Sequence, residues 1–191
     1  MKVIGFDIGF NSPLAYADNS GLTGLIKIPE KYTIRLDELC YQYDCAMQEG
    51  GVGSKIITKK YKEIWSPYVL PYIKASFELY DFVIVEDLGQ LSIKKDFGSK
   101  EVFGEVSYEL RAKMMEGIVA SFNQYQNRGL AKLIKIPAPY TSQTCSSCLN
   151  QKSNTSYFSE FKCSNCKMVM DRDLNAALNI LRVGMRRVPA T

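Results

Sequence analysis

The fold is decided at the start of the chain by Lys2-Val3-Ile4-Gly5-Phe6-Asp7-Ile8-Gly9. This stretch is an apolar run of strand length that carries one carboxylate, Asp7, and stops at a glycine. Residues 13–17 and 22–28 are two further segments of strand length, separated by asparagine, serine and glycine. The opening therefore predicts three consecutive antiparallel strands.

The rest of the chain alternates between helix-like and strand-like segments. Apolar spacing predicts helices at 33–48, 55–80, 105–128 and 174–185, and strands at 82–87 and 131–136. Pro67 and Pro71 predict breaks in the second helical region, because proline removes a helical hydrogen bond. A cysteine-bearing insert at 140–170 separates the last strand from the last helix.

The amino-acid composition excludes several catalytic mechanisms. The chain has 191 residues, a net charge of +4, 46% hydrophobic residues and no histidine, which predicts one compact domain with a small appendage. Without histidine, Ser-His-Asp and Cys-His nucleophiles and histidine general bases are excluded. The apolar run at residues 3–8 is too short for a signal peptide, and no apolar stretch of about 18 residues follows it. We therefore expect a soluble cytoplasmic protein with no membrane partner.

Four of the six cysteines form a CxxC-x14-CxxC pattern, namely Cys145, Cys148, Cys163 and Cys166. Each two-residue spacer lets two thiolates converge on one ion, which is typical of a ribbon around one tetrahedral zinc. Two disulfides or a redox pair are the alternatives, and an intracellular location disfavours both. Four protein ligands leave no open position, so we expect this zinc to be structural.

Carboxylates stand at the ends of the predicted elements. Asp7 lies in the first strand, Glu86 and Asp87 close another, and Asp171 and Asp173 precede the last helix. Singly, each has an ordinary explanation, such as Asp173 capping the helix N-terminus or Asp87 forming a turn. If the strand ends and the helix start converge, the carboxylates could bind two Mg²⁺ or Mn²⁺ ions and support phosphodiester cleavage without histidine.

Four motifs carry a resemblance to a known family. They are residues 4–9 (IGFDIG), 83–88 (VIVEDL), 140–148 (YTSQTCSSC) and 171–179 (DRDLNAALN). In this order they resemble the RuvC-like nuclease domain of TnpB proteins, which type V CRISPR effectors share. The first motif alone also occurs in actin-like ATPases, which the cysteine pattern fits poorly.

The resemblance implies an α/β, RNase H-like (RuvC-type) fold with a mixed five-stranded sheet and flanking helices. The implied organisation is a nuclease core at 1–139, a zinc ribbon at 140–170 and a completing helix at 171–191. It implies Asp7, Glu86 and Asp173 as the catalytic and metal-binding triad, with Asp171 the less favoured third ligand. The family often has glycine where this chain has Leu149, and it carries a recognition and wedge region before the first catalytic strand, which here starts at Lys2.

These features predict a metal-dependent endonuclease of single-stranded or branched DNA, as a homodimer or with a separate recognition subunit. A nuclease subunit of an RNA-guided TnpB-like system and a catalytically silent nucleic-acid-binding module remain alternatives. The candidate phosphate-binding residues are Lys94, Lys95, Lys100, Arg182, Arg186 and Arg187, and the stacking candidates are Tyr157 and Phe158. Each basic cluster is equally well explained as a solvated face.

Overall fold

The computed structural model describes residues 1–9, 12–88, 108–128, 130–137, 140–151 and 159–190. Its strands are β1 (Val3–Asp7), β2 (Leu14–Asp18), β3 (Thr23–Ile26), β4 (Phe82–Glu86), β5 (Lys132–Ile136), β6 (Glu160–Lys162) and β7 (Val169–Asp171). Its helices are α1 (Thr33–Gln48), α2 (Ser54–Leu79), α3 (Tyr108–Gln126) and α4 (Arg172–Met185), and a 3-10 turn at Glu30–Tyr32 precedes α1.

One mixed sheet organises the molecule, with strand order β3-β2-β1-β4-β5. β1, β2 and β3 pair antiparallel, as the opening of the sequence predicts, whereas β4 and β5 add in parallel. β1 and β4 are central strands and are almost entirely apolar before their final carboxylates, as expected for strands covered on both faces. The predicted RNase H-like α/β fold with a mixed five-stranded sheet is confirmed.

Three helices cover one face of the sheet. Ile4, Phe6 and Ile8 point toward α1, α2 and α3 and share a buried cluster with them. α2 contributes a row of buried residues at four-residue spacing, Tyr61, Trp65, Val69, Ile73 and Phe77. Such a stripe along one side is the pattern of a helix packed on a core.

The predicted breaks at Pro67 and Pro71 are wrong, because both prolines lie inside one continuous helix. Both are exposed, so water can hydrate the carbonyls that lose a partner. Burial of the opposite stripe outweighs the local penalty of two prolines.

Within the described residues, α4 covers the other face, packing on Val3, Ala15, Ile84 and Ile136. The approach is very close, since a Cβ on Gly5 would lie 2.9 Å from the Leu181 Cα atom. On the helix side, a Cβ on Gly184 would lie 2.3 Å from the Ile84 Cγ2 atom. Two glycines therefore set how near α4 lies to the centre of the sheet.

A second, small sheet lies between β5 and α4 in the chain. β6 and β7 pair antiparallel over three residue pairs, and Thr144 forms an isolated bridge with Gln151. Within the described part of the chain, none of the helices has the length and apolar character needed to cross a membrane.

Candidate functional site

Strand alternation brings two carboxylates to the same face of the sheet. Val3 on β1 and Ile84 on β4 both pack against α4, so two-residue periodicity directs Asp7 and Glu86 to that face. β1 and β4 are parallel, with Phe6 opposite Val85, so their last residues lie side by side. The sequence-based expectation that these strand ends converge is met by the register.

The electrostatic environment of Asp7 shows how close the acidic groups are. Burial raises the pKa of Asp7 well above its usual range, and the charges of Glu86 and Asp173 raise it further. Arg172 has the opposite, smaller effect. Asp7, Glu86 and Asp173 all remain partly exposed, so solvent or an ion can reach them.

Asp171 and Asp173 have different structural roles at the start of α4. Asp171 is the N-cap, and its carboxylate accepts hydrogen bonds from the backbone N–H groups of Asp173 (2.9 Å) and Leu174 (3.3 Å). The prediction of Asp173 as the N-cap is therefore wrong, because the helix begins two residues earlier than the apolar spacing indicates. Capping engages the Asp171 Oδ1 atom, and the charge of Asp173 raises the pKa of Asp7 more than the charge of Asp171 does.

Asp173 is held against the loop that follows β1. The Ser12 hydroxyl donates a hydrogen bond to the Asp173 carboxylate, and Lys27 contributes a favourable charge. Both lower its pKa, but burial and the neighbouring Asp171 charge are stronger and raise it overall. A Cβ on Gly9 would lie 3.6 Å from the Asp173 Oδ2 atom, so this carboxylate sits directly beneath the end of β1.

Glu86 has a partner outside the sheet. Its Oε1 atom accepts a hydrogen bond from the Thr141 hydroxyl at 3.3 Å. Thr141 lies just before the first cysteine pair and is 8% exposed. Asp87, the next residue, is exposed and donates its backbone N–H to the Ile136 carbonyl at 2.8 Å.

The four ribbon cysteines form a compact cluster whose sulfur atoms all lie within 4.8 Å of one another. The Cys145–Cys166 and Cys148–Cys163 sulfur pairs are each 3.6 Å apart, far beyond the roughly 2.05 Å of a disulfide. Four sulfurs about 2.3 Å from a central zinc would be about 3.8 Å apart. The cluster could therefore hold a metal ion such as zinc.

Both cysteine pairs have the same backbone geometry. The N–H groups of Cys148 and Cys166 each point at the sulfur three residues earlier, at 3.5 Å. The residues that follow, Leu149 and Lys167, have φ angles of 64° and 63°, in the left-handed region that favours glycine. Glycine adopts this conformation at least cost, and Leu149 stands where the family that this sequence resembles often has glycine.

The carboxylates are more widely spaced than the cysteines. Throughout the described ranges, the four cysteines are the only group of three or more Cys, Asp or Glu side chains whose ligand atoms all lie within 4.8 Å of one another. Asp7, Glu86 and Asp173 are not such a group, although the charges of Glu86 and Asp173 act on Asp7.

The basic candidates fall into two groups. Lys94, Lys95 and Lys100, together with Tyr157 and Phe158, lie outside the described residues. Arg182 donates to the Ser146 carbonyl and to the Asn179 side chain, and Arg187 donates to the Lys135 carbonyl at 2.9 Å. Arg186 is exposed. Two of the three arginines therefore also hold backbone segments together.

Sequence reasoning missed two buried asparagines on α4. Asn175 is fully buried; its amide donates to the Thr144 carbonyl at 2.8 Å and accepts from the Ser146 N–H at 2.9 Å. Asn179 is 4% exposed and donates to the carbonyls of Thr141 (2.8 Å) and Thr144 (2.6 Å). The available signal was their four-residue spacing beside the apolar stripe of the helix.

Comparisons with known proteins agree with this architecture. Residues 124–180 match the family model described as Cas12f1-like, TNB domain. The structure entitled "Cryo-EM structure of the Cas12f1-sgRNA-target DNA complex" superimposes on 94% of this chain with a TM-score of 0.58 at 21% sequence identity. Residues 124–180 thus resemble a TNB domain, and the chain as a whole shares its fold with the matched Cas12f1 structure.

A second group of structures shares this domain fold. "Structure of the mini-RNA-guided endonuclease CRISPR-Cas_phi3" matches 100% of this chain with a TM-score of 0.57 at 11% identity. This chain spans 49% of the Cas12f1 chain and 46% of the Cas_phi3 chain, about half of each. A comparison with curated proteins finds no match.

Proposed function

We propose that this chain is a divalent-metal-dependent endonuclease that hydrolyses DNA phosphodiester bonds at Asp7, Glu86 and Asp173. The observation that carries the proposal is the position of Asp7, whose pKa is raised both by burial and by the charges of the other two carboxylates. Mutual repulsion of this kind is costly unless a cation relieves it. Clustered carboxylate oxygens are the donor set that Mg²⁺ and Mn²⁺ prefer.

Two ions suit this reaction better than one, because phosphodiester cleavage needs both an activated attacking water and a stabilised leaving oxygen. Divalent ions, when bound, lower the pKa of water and stabilise the attacking and leaving oxygens of the phosphodiester. Asp7, to which both other carboxylates are coupled, would be shared between the ions.

The chain's own residues orient this site. Asp7 and Glu86 are carried by adjacent parallel strands, and Asp173 is held by the Ser12 hydroxyl. Asp171 caps α4, which supports Asp173 over Asp171 as the third ligand. Because the site contains no histidine, proton transfer at neutral pH would depend on water and the substrate phosphate.

We further propose that Cys145, Cys148, Cys163 and Cys166 hold one structural zinc within a ribbon spanning 140–170. The sulfur separations of 3.6 Å support a tetrahedral site. Four protein ligands fill the coordination shell and leave no position for substrate.

An RNA-guided nuclease role is the second candidate. The titles of the matched structures name an sgRNA with target DNA and an RNA-guided endonuclease, and this chain corresponds to about half of each matched chain. Lys94, Lys95, Lys100 and Arg186 would then contact phosphates. RNA that co-purifies with the chain and is required for cleavage would favour this candidate over a stand-alone nuclease or a homodimer.

The test is cleavage of labelled single-stranded, duplex and four-way-junction DNA with Mg²⁺ or Mn²⁺, with and without co-purified RNA. We expect wild-type cleavage and its loss in Asp7→Asn and Glu86→Gln. Asp87→Asn is the matched control, since it neutralises an exposed carboxylate directly beside Glu86 and should keep activity. Equal cleavage by wild type and both site variants would refute the assignment.

A further inference from the structure

We propose that Thr141 is a positioning residue for Glu86. We also propose that helix α4 fixes the positions of both the Glu86 and the Asp173 carboxylates. The inference rests on the proposed metal-dependent nuclease function. It adds a link between the four-cysteine ribbon and the carboxylate site, carried by the turn at residues 140–144.

The first contact in this link is between two side chains. The Thr141 hydroxyl donates to the Glu86 Oε1 atom at 3.3 Å, and Thr141 is 8% exposed. Glu86 is the last residue of β4, so the sheet fixes its Cα atom but leaves three side-chain torsions to be set. A buried hydroxyl that bonds one carboxylate oxygen restricts those torsions and so helps to fix where the Glu86 carboxylate lies.

The turn that carries Thr141 is tightly closed. The Tyr140 carbonyl accepts hydrogen bonds from the N–H groups of Gln143 (3.0 Å) and Thr144 (2.9 Å) and from the Thr144 hydroxyl (3.0 Å). Tyr140 itself has a φ angle of 71°, a left-handed conformation that surrounding contacts must hold in a non-glycine residue. The Thr141 hydroxyl therefore occupies a defined place relative to this turn.

Helix α4 holds the turn at residues 140–144 in place through Asn179. The Asn179 amide donates to the carbonyls of Thr141 and Thr144, at 2.8 and 2.6 Å, and is 4% exposed. Asp173 lies six residues earlier on the same helix, in its first turn. The helix therefore places one carboxylate directly and the other through Asn179 and Thr141.

The same helix also holds the cysteine cluster. Asn175 binds the backbone on both sides of Cys145, at Thr144 and Ser146. Cys145 is fully buried and is one of the four clustered sulfurs. A correctly formed cluster would thus keep the turn in the position that the Thr141–Glu86 hydrogen bond requires.

The test uses the full chain and measures Mn²⁺ binding by calorimetry beside Mn²⁺-dependent DNA cleavage. Thr141→Val keeps the side-chain shape but removes the donor, and Thr141→Ser retains the donor. We expect Thr141→Val to weaken Mn²⁺ binding about tenfold, the usual scale for losing a residue that orients a metal ligand. Thr141→Ser should stay within about twofold of wild type.

Thr58→Val is the matched control, because it removes a threonine hydroxyl that bonds the Ser54 carbonyl within α2 and has no part in the turn. Thermal unfolding of each variant shows that it is folded. Wild-type Mn²⁺ affinity in Thr141→Val, or an equal loss in Thr58→Val, would overturn the positioning role while Asp7→Asn and Glu86→Gln still abolish binding. If those two variants bind Mn²⁺ like wild type, the metal-site proposal fails and the inference fails with it.

Discussion

Gly5→Ala tests whether the distance between α4 and β1 sets the carboxylate site. The added Cβ would lie 2.9 Å from the Cα and N atoms of Leu181, against 3.4–4 Å for ordinary contact. These are backbone atoms, which cannot rotate away as a side-chain end can. The helix must therefore move outward by about 0.5–1 Å, the difference between those distances.

This shift has two measurable consequences. Overpacking of this kind costs about 1–3 kcal/mol of unfolding free energy, or a fall in Tm of roughly 2–12 °C for a chain of this size. Because Asp173 begins the same helix, the DNA-cleavage rate should fall about tenfold to hundredfold, the scale for a misplacement approaching 1 Å.

The measurement is single-turnover cleavage at saturating Mn²⁺, with thermal unfolding of the same samples. Gly117→Ala in α3 is the control: its Cβ would meet the Trp65 ring at 3.2 Å, away from the carboxylates. It should change stability modestly, because the helix-propensity gain of about 1 kcal/mol offsets the crowding, and it should leave the rate unchanged. A folded Gly5→Ala protein with a lower Tm and the wild-type rate would refute the reasoning.

Three further predictions concern the charges and the cysteine cluster. Burial raises the pKa of Asp7, so without Mg²⁺ the folded state binds this proton more tightly than the unfolded state. Stability should therefore fall as pH rises from about 4 through the raised pKa. Asp7→Asn should flatten this fall in urea midpoints measured against pH, and an unchanged slope would contradict it. Leu149→Gly should raise the unfolding free energy by about 1 kcal/mol, because it relieves a φ of 64°; Leu149→Ala, which keeps a Cβ, should not. Elemental analysis should find about one zinc per chain in wild type and a loss of zinc and solubility in Cys145→Ser, with Cys40→Ser, far from the cluster in α1, as the control; folded, zinc-free wild type would contradict the assignment.

Local patterns anticipated most of the secondary structure. The three opening strands and α1 lie where alternation and helical spacing place them. The prolines of α2 led to a wrong prediction because helix propensity describes an isolated segment. In the folded chain, packing of the buried row from Tyr61 to Phe77 stabilises the whole helix. The N-cap was misassigned for a related reason, since Asp171 and Asp173 are both good capping residues and the point where β7 ends selects between them.

The cysteine cluster and the strand-end carboxylates could be recognised from the amino-acid sequence, because both depend on short-range geometry. A two-residue spacer brings two sulfurs together whatever surrounds them, and alternation with period two assigns Asp7 and Glu86 to faces of their strands. The partners of these groups depend on how α4 crosses the sheet. Contacts between Asn179 and Thr141, and between Thr141 and Glu86, join residues 38 and 55 positions apart. Local spacing does not encode such contacts, because they form only when α4 packs on the sheet at Gly5.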